Sequence, residues 1–185
     1  MIGAASNTFS ELQAIENVDS VFSEYREELE WLANFLTGDK KVAEACVIDA
    51  CAMAEAERRD FEGWPLEWAR LATIRSAVEI QQRRIAELSS AYVKRPCIHG
   101  GHRALLQESI DLLVEASGAL MGRLDVLCRF VLVLCGLEEL SADEAALVLG
   151  VDRASVEGAY CSAIRWLKVI GCEQFQQQNF SVMLN

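Results

Sequence analysis

The sequence predicts an all-α chain of two small helical domains joined by a linker, the C-terminal one with a helix-turn-helix. Three observations predict it. Apolar residues recur every three or four positions over long stretches, only Pro65 and Pro96 interrupt 185 residues, and strand-like alternation is absent. A hydrophobic fraction of 52% beside 24% charged residues is that of a folded chain.

From Val18 to Leu36, the positions Val18, Phe22, Tyr25, Leu29, Leu32 and Leu36 form one apolar stripe, with Glu24, Glu27, Glu28 and Glu30 off it. Thr37-Gly38-Asp39 ends that helix, glycine as C-cap and aspartate starting the next. Lys40 to Arg59 is alanine-rich and helix-forming. Phe61 to Pro65 is a turn, with proline where a first helical turn tolerates it. Leu66 to Leu88 follows as one long helix with Trp68, Leu71, Ile74, Val78 and Ile85 on one side. Residues 18–90 make the first domain.

Ser89 to Arg103, with two serines, Pro96 and Gly100-Gly101, marks the boundary, and 91–118 is assigned as a linker with its own helix at Ala104–Ser117. The second domain covers 119–172, with a helix at Leu120–Leu134 and a last block from Ser141 to Ile170. Residues 173–185 have weak periodicity and are expected to form a mobile tail.

The last block has the layout of a helix-turn-helix. Ser141 caps a short helix and Glu144, three residues on, completes a capping box. Ala145 is small where two helices must approach, Gly150 supplies a left-handed turn, Val151 plugs the core and Asp152 caps the second helix. Val156, Tyr160, Ala163 and Leu167 are its inward positions. Such a pair can place the start of its second helix in a major groove. An ordinary helical hairpin has the same pattern.

On these residues the chain resembles the sigma-70 family, in particular its small extracytoplasmic-function group. Leu120 to Val151 is similar to the family's C-terminal promoter-reading domain, and Tyr25 to Ala50, with Leu36 to Asp39 and Val42 to Ala45, to the start of its N-terminal domain. Phe61 to Trp64, running into Leu66–Leu88, is similar to the segment that melts the upstream promoter element. The resemblance implies a protein without catalytic residues or cofactor that binds core RNA polymerase and directs it to promoter DNA, with an anti-sigma factor as a candidate regulator. It places Ala43, Glu44, Val47 and Asp49 against polymerase, and Arg153, Ser155, Arg165 and Lys168 near DNA. Departures accompany the match. Ala45 and Ile48 stand where the family carries an acidic residue and a glutamine, and Glu157, Ala159 and Ser162 replace three cations of its recognition helix.

Charge sharpens that point. The net charge is −11; residues 1–90 carry nine basic and 17 acidic groups, and residues 91–185 carry eight and 11. Neither half is basic, whereas affinity for the phosphate backbone comes from cations that displace counterions. Arg70, Arg75, Arg83 and Arg84 give the long helix a basic side that could follow a DNA strand, with Trp64 and Trp68 as stacking surfaces; a solvated helix face with core tryptophans is the plainer reading. The competing function is a sigma-like interaction protein that has lost promoter recognition and binds polymerase or a regulatory partner.

Other chemistry finds little support. Cys97, His99 and His102 form a metal-like group to which a fourth ligand could come from elsewhere, but it is short, solitary and lies in the linker, so no metal is assigned. Both histidines lie there, and no nucleophile elbow or phosphate-cradling loop appears. Cys46, Cys51, Cys128, Cys135 and Cys161 sit among apolar neighbours and are expected to be buried thiols. The N-terminus does not read as a secretory signal, and Arg129 interrupts the longest apolar stretch, Val126 to Leu137, so a cytoplasmic location without a membrane partner is expected.

Overall fold

The computed structural model describes residues 18–57, 65–93 and 123–182, with side-chain surroundings in the final helix given as far as Val169, Lys168 excepted. Every regular element among them is helical. The expected helices Ala104–Ser117 and the start of Leu120–Leu134, together with Trp64, Cys97, His99 and His102, lie outside the described residues.

The N-terminal stripe divides in two. Helix α1 (Val18–Glu24) and helix α2 (Arg26–Thr37) meet at Tyr25, which leaves helical geometry (φ −100°, ψ 19°) while its ring packs against the core. Gly38 closes α2, its N–H donating to the Asn34 carbonyl at 2.8 Å. The Asp39 carboxylate accepts from the Lys41 and Val42 N–H groups at 2.8 and 3.2 Å, capping helix α3 (Lys40–Glu57).

Helix α4 (Pro65–Tyr92) starts at the proline but runs past Ser89, where the sequence places a boundary. The reason is local. The Ser89 and Ser90 hydroxyls fold back onto the carbonyls of Ala86 and Glu87 at 2.9 and 3.4 Å, and so remain inside the helix instead of capping its end.

Helix α5 (Val126–Leu132) is capped by Asp125, which accepts from the Cys128 N–H at 2.9 Å, and it widens into a π-helical turn over Val133–Leu137. Helices α6 (Ala142–Leu149) and α7 (Arg153–Val182) follow. The residues expected to form a tail, from Glu173 on, continue α7 to Val182. Glutamates and glutamines are good helix formers, and no proline stops them.

The helices on either side of residues 94–122 share one core. Helices α2, α3 and α4 pack together with α1 against α3 and α4, and α7 packs on α5 and α6. Helix α4 also packs against α5, α6 and α7, and α2 against α5. At 1.5 Å per residue α4 is roughly 42 Å long, enough to serve both groups. Phe35, Leu29 and Ile74 from one side and Phe130, Leu132 and Leu149 from the other belong to the same buried cluster. Each such side chain contributes about 1.5–3 kcal/mol of transfer free energy. No described helix is long and apolar enough to cross a membrane.

Candidate nucleic-acid and polymerase interface

The α6–α7 hairpin is built by its caps. The Ser141 hydroxyl accepts from the Glu144 N–H, and the Glu144 carboxylate accepts from the Ser141 N–H at 2.8 Å and its hydroxyl at 2.6 Å, so both halves of the capping box are made. Those bonds from Ser141 hold the Glu144 carboxyl below the usual carboxylate range. Gly150 turns the chain at φ +64°, a conformation costly to residues with a Cβ. Asp152 then accepts from the Ser155 N–H at 2.8 Å and caps α7, and this bond, with the Ser155 hydroxyl, lowers its carboxyl in turn. Ala145, Val156, Ala163 and Leu167 are buried, and Val151 and Tyr160 are half-buried.

The outer face of α7 carries Arg153, Arg165 and Trp166, all exposed. Arg153 is engaged within the hairpin, at 2.7 Å from Glu157 and 3.0 Å from Asp143. Those carboxylates raise the guanidinium further above its ordinary value. Such exposed pairs are weak, so the arginine can exchange them for a phosphate. The Lys168 side chain lies outside the described residues.

Ser155 does not reach outward, contrary to its placement among the DNA-contacting residues. It is fully buried, and its hydroxyl donates to the Ser89 carbonyl of α4 at 2.8 Å, with Asp152 as a competing acceptor at 2.9 Å. Two of the positions that diverge from the family pattern have related surroundings. Ala159 is fully buried, its carbonyl accepting from the Cys128 thiol at 3.4 Å, and Glu157 is half-buried on Arg153. Gly158 lies so close to α4 that a Cβ there would meet the Tyr92 carbonyl oxygen at 2.5 Å.

Along α4, Arg75, Arg83 and Arg84 are exposed, Arg83 pairing with Glu87 at 3.0 Å. Arg70 bridges the two helical groups, 2.7 Å from Glu138 ahead of α6 and 3.5 Å from Glu28 on α2. Burial raises the Glu138 carboxyl, and Arg70 opposes that shift. Trp68 is half-buried against the core.

The residues expected to face polymerase divide. Glu44 and Asp49 are exposed on α3, but Ala43 and Val47 are 1% and 7% exposed and belong to the core, because the inward stripe of α3 runs through Ala43, Cys46, Val47, Ala50 and Ala54. Beside them lies a groove of about 380 Å³ between α1 and α3, lined by Phe22, Arg26, Val47, Ile48 and Cys51, with Asp19 and Glu55 at its rim. Ile48 is 63% exposed there. In the sequence Ile48 stood out only as a departure from the expected glutamine; an apolar residue off the inward stripe was the available signal.

Cys46 and Cys128 are buried free thiols, and Cys51 and Cys135 are half-buried ones. Burial pushes Cys51 and Cys135 up to about 11, helped at Cys51 by the Asp19 carboxylate. Cys161 departs from the expected buried thiol: it is half-buried on α7 and disulfide-bonded. No metal-binding group of three or more ligands occurs among the described residues. Comparison with known proteins finds no matching family model, curated protein or solved structure.

Proposed function

We propose that this chain is a sigma-factor-like protein that binds core RNA polymerase and helps direct transcription initiation at promoters. The observation that carries this reading is the α6–α7 hairpin: a complete capping box, a left-handed Gly150, an Asp152 cap, and a second helix whose outer face presents Arg153 and Arg165. The exposed Glu44, Ile48 and Asp49 beside the α1–α3 groove offer a separate surface for polymerase. An acidic chain can serve this role because a polymerase-held hairpin meets DNA as an intramolecular step at high effective concentration.

Binding to core polymerase followed by run-off transcription tests the proposal, specific transcripts being the expected result. Arg153→Ala and Arg165→Ala should each lower promoter-directed transcription on the order of tenfold. Their melting temperatures should stay within about 2 °C of the parent, because both side chains lie on the surface. Full transcription by both variants would remove this helix from the DNA interface.

Burial of Ser155 and Ala159 favours a second reading, that of a sigma-like interaction protein which has lost promoter recognition. Polymerase binding without specific transcripts is its signature.

A further inference from the structure

We infer that the disulfide at Cys161 runs to Cys97, and that this bond holds the basic stretch around Cys97 beside the outer face of α7, supplying there the cations that α7 itself lacks. The consequence for nucleic acid rests on the sigma-like reading; the bond itself does not.

The partner follows by elimination. The chain has seven cysteines, of which Cys46, Cys51, Cys128 and Cys135 are free thiols. Cys161 is disulfide-bonded, which leaves Cys97 and Cys172. Cys172 stands about three turns, roughly 16 Å, further along the same helix. The Cα atoms of a disulfide lie about 4.4–6.8 Å apart, so Cys172 is out of reach. Cys97, in the breaker-rich stretch, is the cysteine that remains.

That stretch differs in charge from the rest of the chain. Leu88 to Gln107 contains neither aspartate nor glutamate and carries Lys94, Arg95 and Arg103, in a chain of net charge −11. A chain extends at most about 3.6 Å per residue, so a bond at Cys97 keeps Lys94 and Arg95 within about 11 Å of it. On α7, Cys161 is half-buried and stands one turn before the exposed Arg165, on the same face of the helix. Glu157, Ala159 and Ser162 replace cations of the family pattern, and affinity for phosphates follows the number of cations that displace counterions. The cross-link makes up that deficit from another part of the chain. It does so conditionally, because in a reducing compartment such bonds are transient and sense redox state. A low-molecular-weight disulfide is the oxidant. One protein thiolate attacks it and releases a small thiol, and the second protein thiolate then displaces the other. Two protein thiols become one disulfide, the small disulfide becomes two thiols, and each departing thiolate takes up a proton that a protein thiol gave up.

The test is peptide mapping of the full chain after equilibration with oxidised glutathione or with dithiothreitol, with duplex DNA and polymerase binding measured on the same samples. Trypsin places the two cysteines in separate peptides, 95–103 and 154–165, each holding one cysteine, because Pro96 blocks cleavage after Arg95. The oxidised chain is expected to give these two peptides joined, with five of its seven cysteines open to alkylation in denaturant, and the reduced chain to give them apart. Oxidation should raise retention of duplex DNA at low salt on the order of fivefold. Cys161→Ser should bind at the reduced level under both conditions, with circular dichroism verifying its fold; if it does not fold, Cys97→Ser, outside α7, replaces it with the same expectation. Lys94→Ala, Arg95→Ala and Arg103→Ala together should keep the cross-link and lose the gain.

A bond from Cys161 to Cys172 or to a second copy, or seven alkylated cysteines after oxidation, overturns the assignment. A Cys97–Cys161 bond that leaves DNA retention unchanged, or a gain that survives loss of the three cations, overturns their role. Failure of oxidised and reduced chains alike to bind core polymerase would sink the sigma-like reading, while the peptide map would still support the bond.

Discussion

Tyr92 ends α4, and its hydroxyl joins that helix to the cap of α5 through Asp125 and Cys128. Burial, then the Asp125 and Cys128 contacts, raises the phenol far above its ordinary value, so it remains a neutral donor throughout the accessible pH range. Tyr92→Phe keeps the ring and removes the donor, leaving a partly exposed carboxylate that water can reach. The expected loss is about 1–2 kcal/mol in urea unfolding, and helix content should not change. A variant as stable as the parent would show that the ring, rather than the hydroxyl, makes the contact. Arg129 has a different balance. It is buried beside the Gly38 cap of α2, burial lowers its pKa, and its Nε has no hydrogen-bond partner. The negative end of the α2 dipole and nearby Asp125 offset part of the cost of holding that charge. In the sequence Arg129 is an interruption in an apolar stretch; nothing local to it marks a contact with α2, because that contact spans more than 90 residues.

At the scale of elements, stability of the hairpin depends on its caps. Ser141→Ala removes the hydroxyl that bonds both the Glu144 N–H and its carboxylate, leaving the backbone N–H as that carboxylate's partner, and should cost about 1 kcal/mol. Its pH dependence is distinctive. The folded-state pKa values of Glu144 and Asp152 lie below the ordinary 4.5 and 3.8, so their contributions are present above those values and are lost as pH falls through the folded pKa values. Glu138 has the opposite sign: its raised pKa contributes stability below 4.5 that is lost as pH rises through the folded value. Urea unfolding between pH 5 and 3 should therefore show a steeper acid loss in the parent than in Ser141→Ala, whose Glu144 has lost the hydroxyl that lowers its carboxyl most; equal slopes would refute the cap assignment. These caps were legible because each is a local rule: Ser141 with Glu144, Gly150 before Asp152, Gly38 before Asp39, proline at Pro65. The ends of α4 and α7 and the π turn at Val133–Leu137 were not. Ser89 and Ser90 bond to their own helix, the glutamines after Glu173 continue theirs, and a widened turn leaves no distinct period in an apolar run.

For the whole molecule, the sequence suggests two domains because Ser89 to Arg103 holds the strongest breakers, whereas helices before and after that stretch pack together. Periodicity reveals that a face is apolar but not which helix covers it. Ile85 and Tyr92 show the difference: Ile85 reads as an inward position of the long helix, whereas Tyr92 falls in the expected linker, yet both are buried and Tyr92 serves the other helical group. A shared core should make unfolding a single event, since exposing the α4 surface removes cover from both groups at once. Tryptophan positions make this measurable. Trp31, Trp64 and Trp68 precede the breaker-rich stretch and Trp166 follows it. Trp166→Phe, at an exposed site, leaves fluorescence reporting on the first group alone, while far-UV circular dichroism reports on both. In urea the two signals of this variant should share one midpoint. Separate midpoints would mean that the contacts of α4 with α5, α6 and α7 are too weak to couple the groups; coincidence would mean that a change in α7 alone, such as Gly158→Leu, acts on the stability of the whole chain.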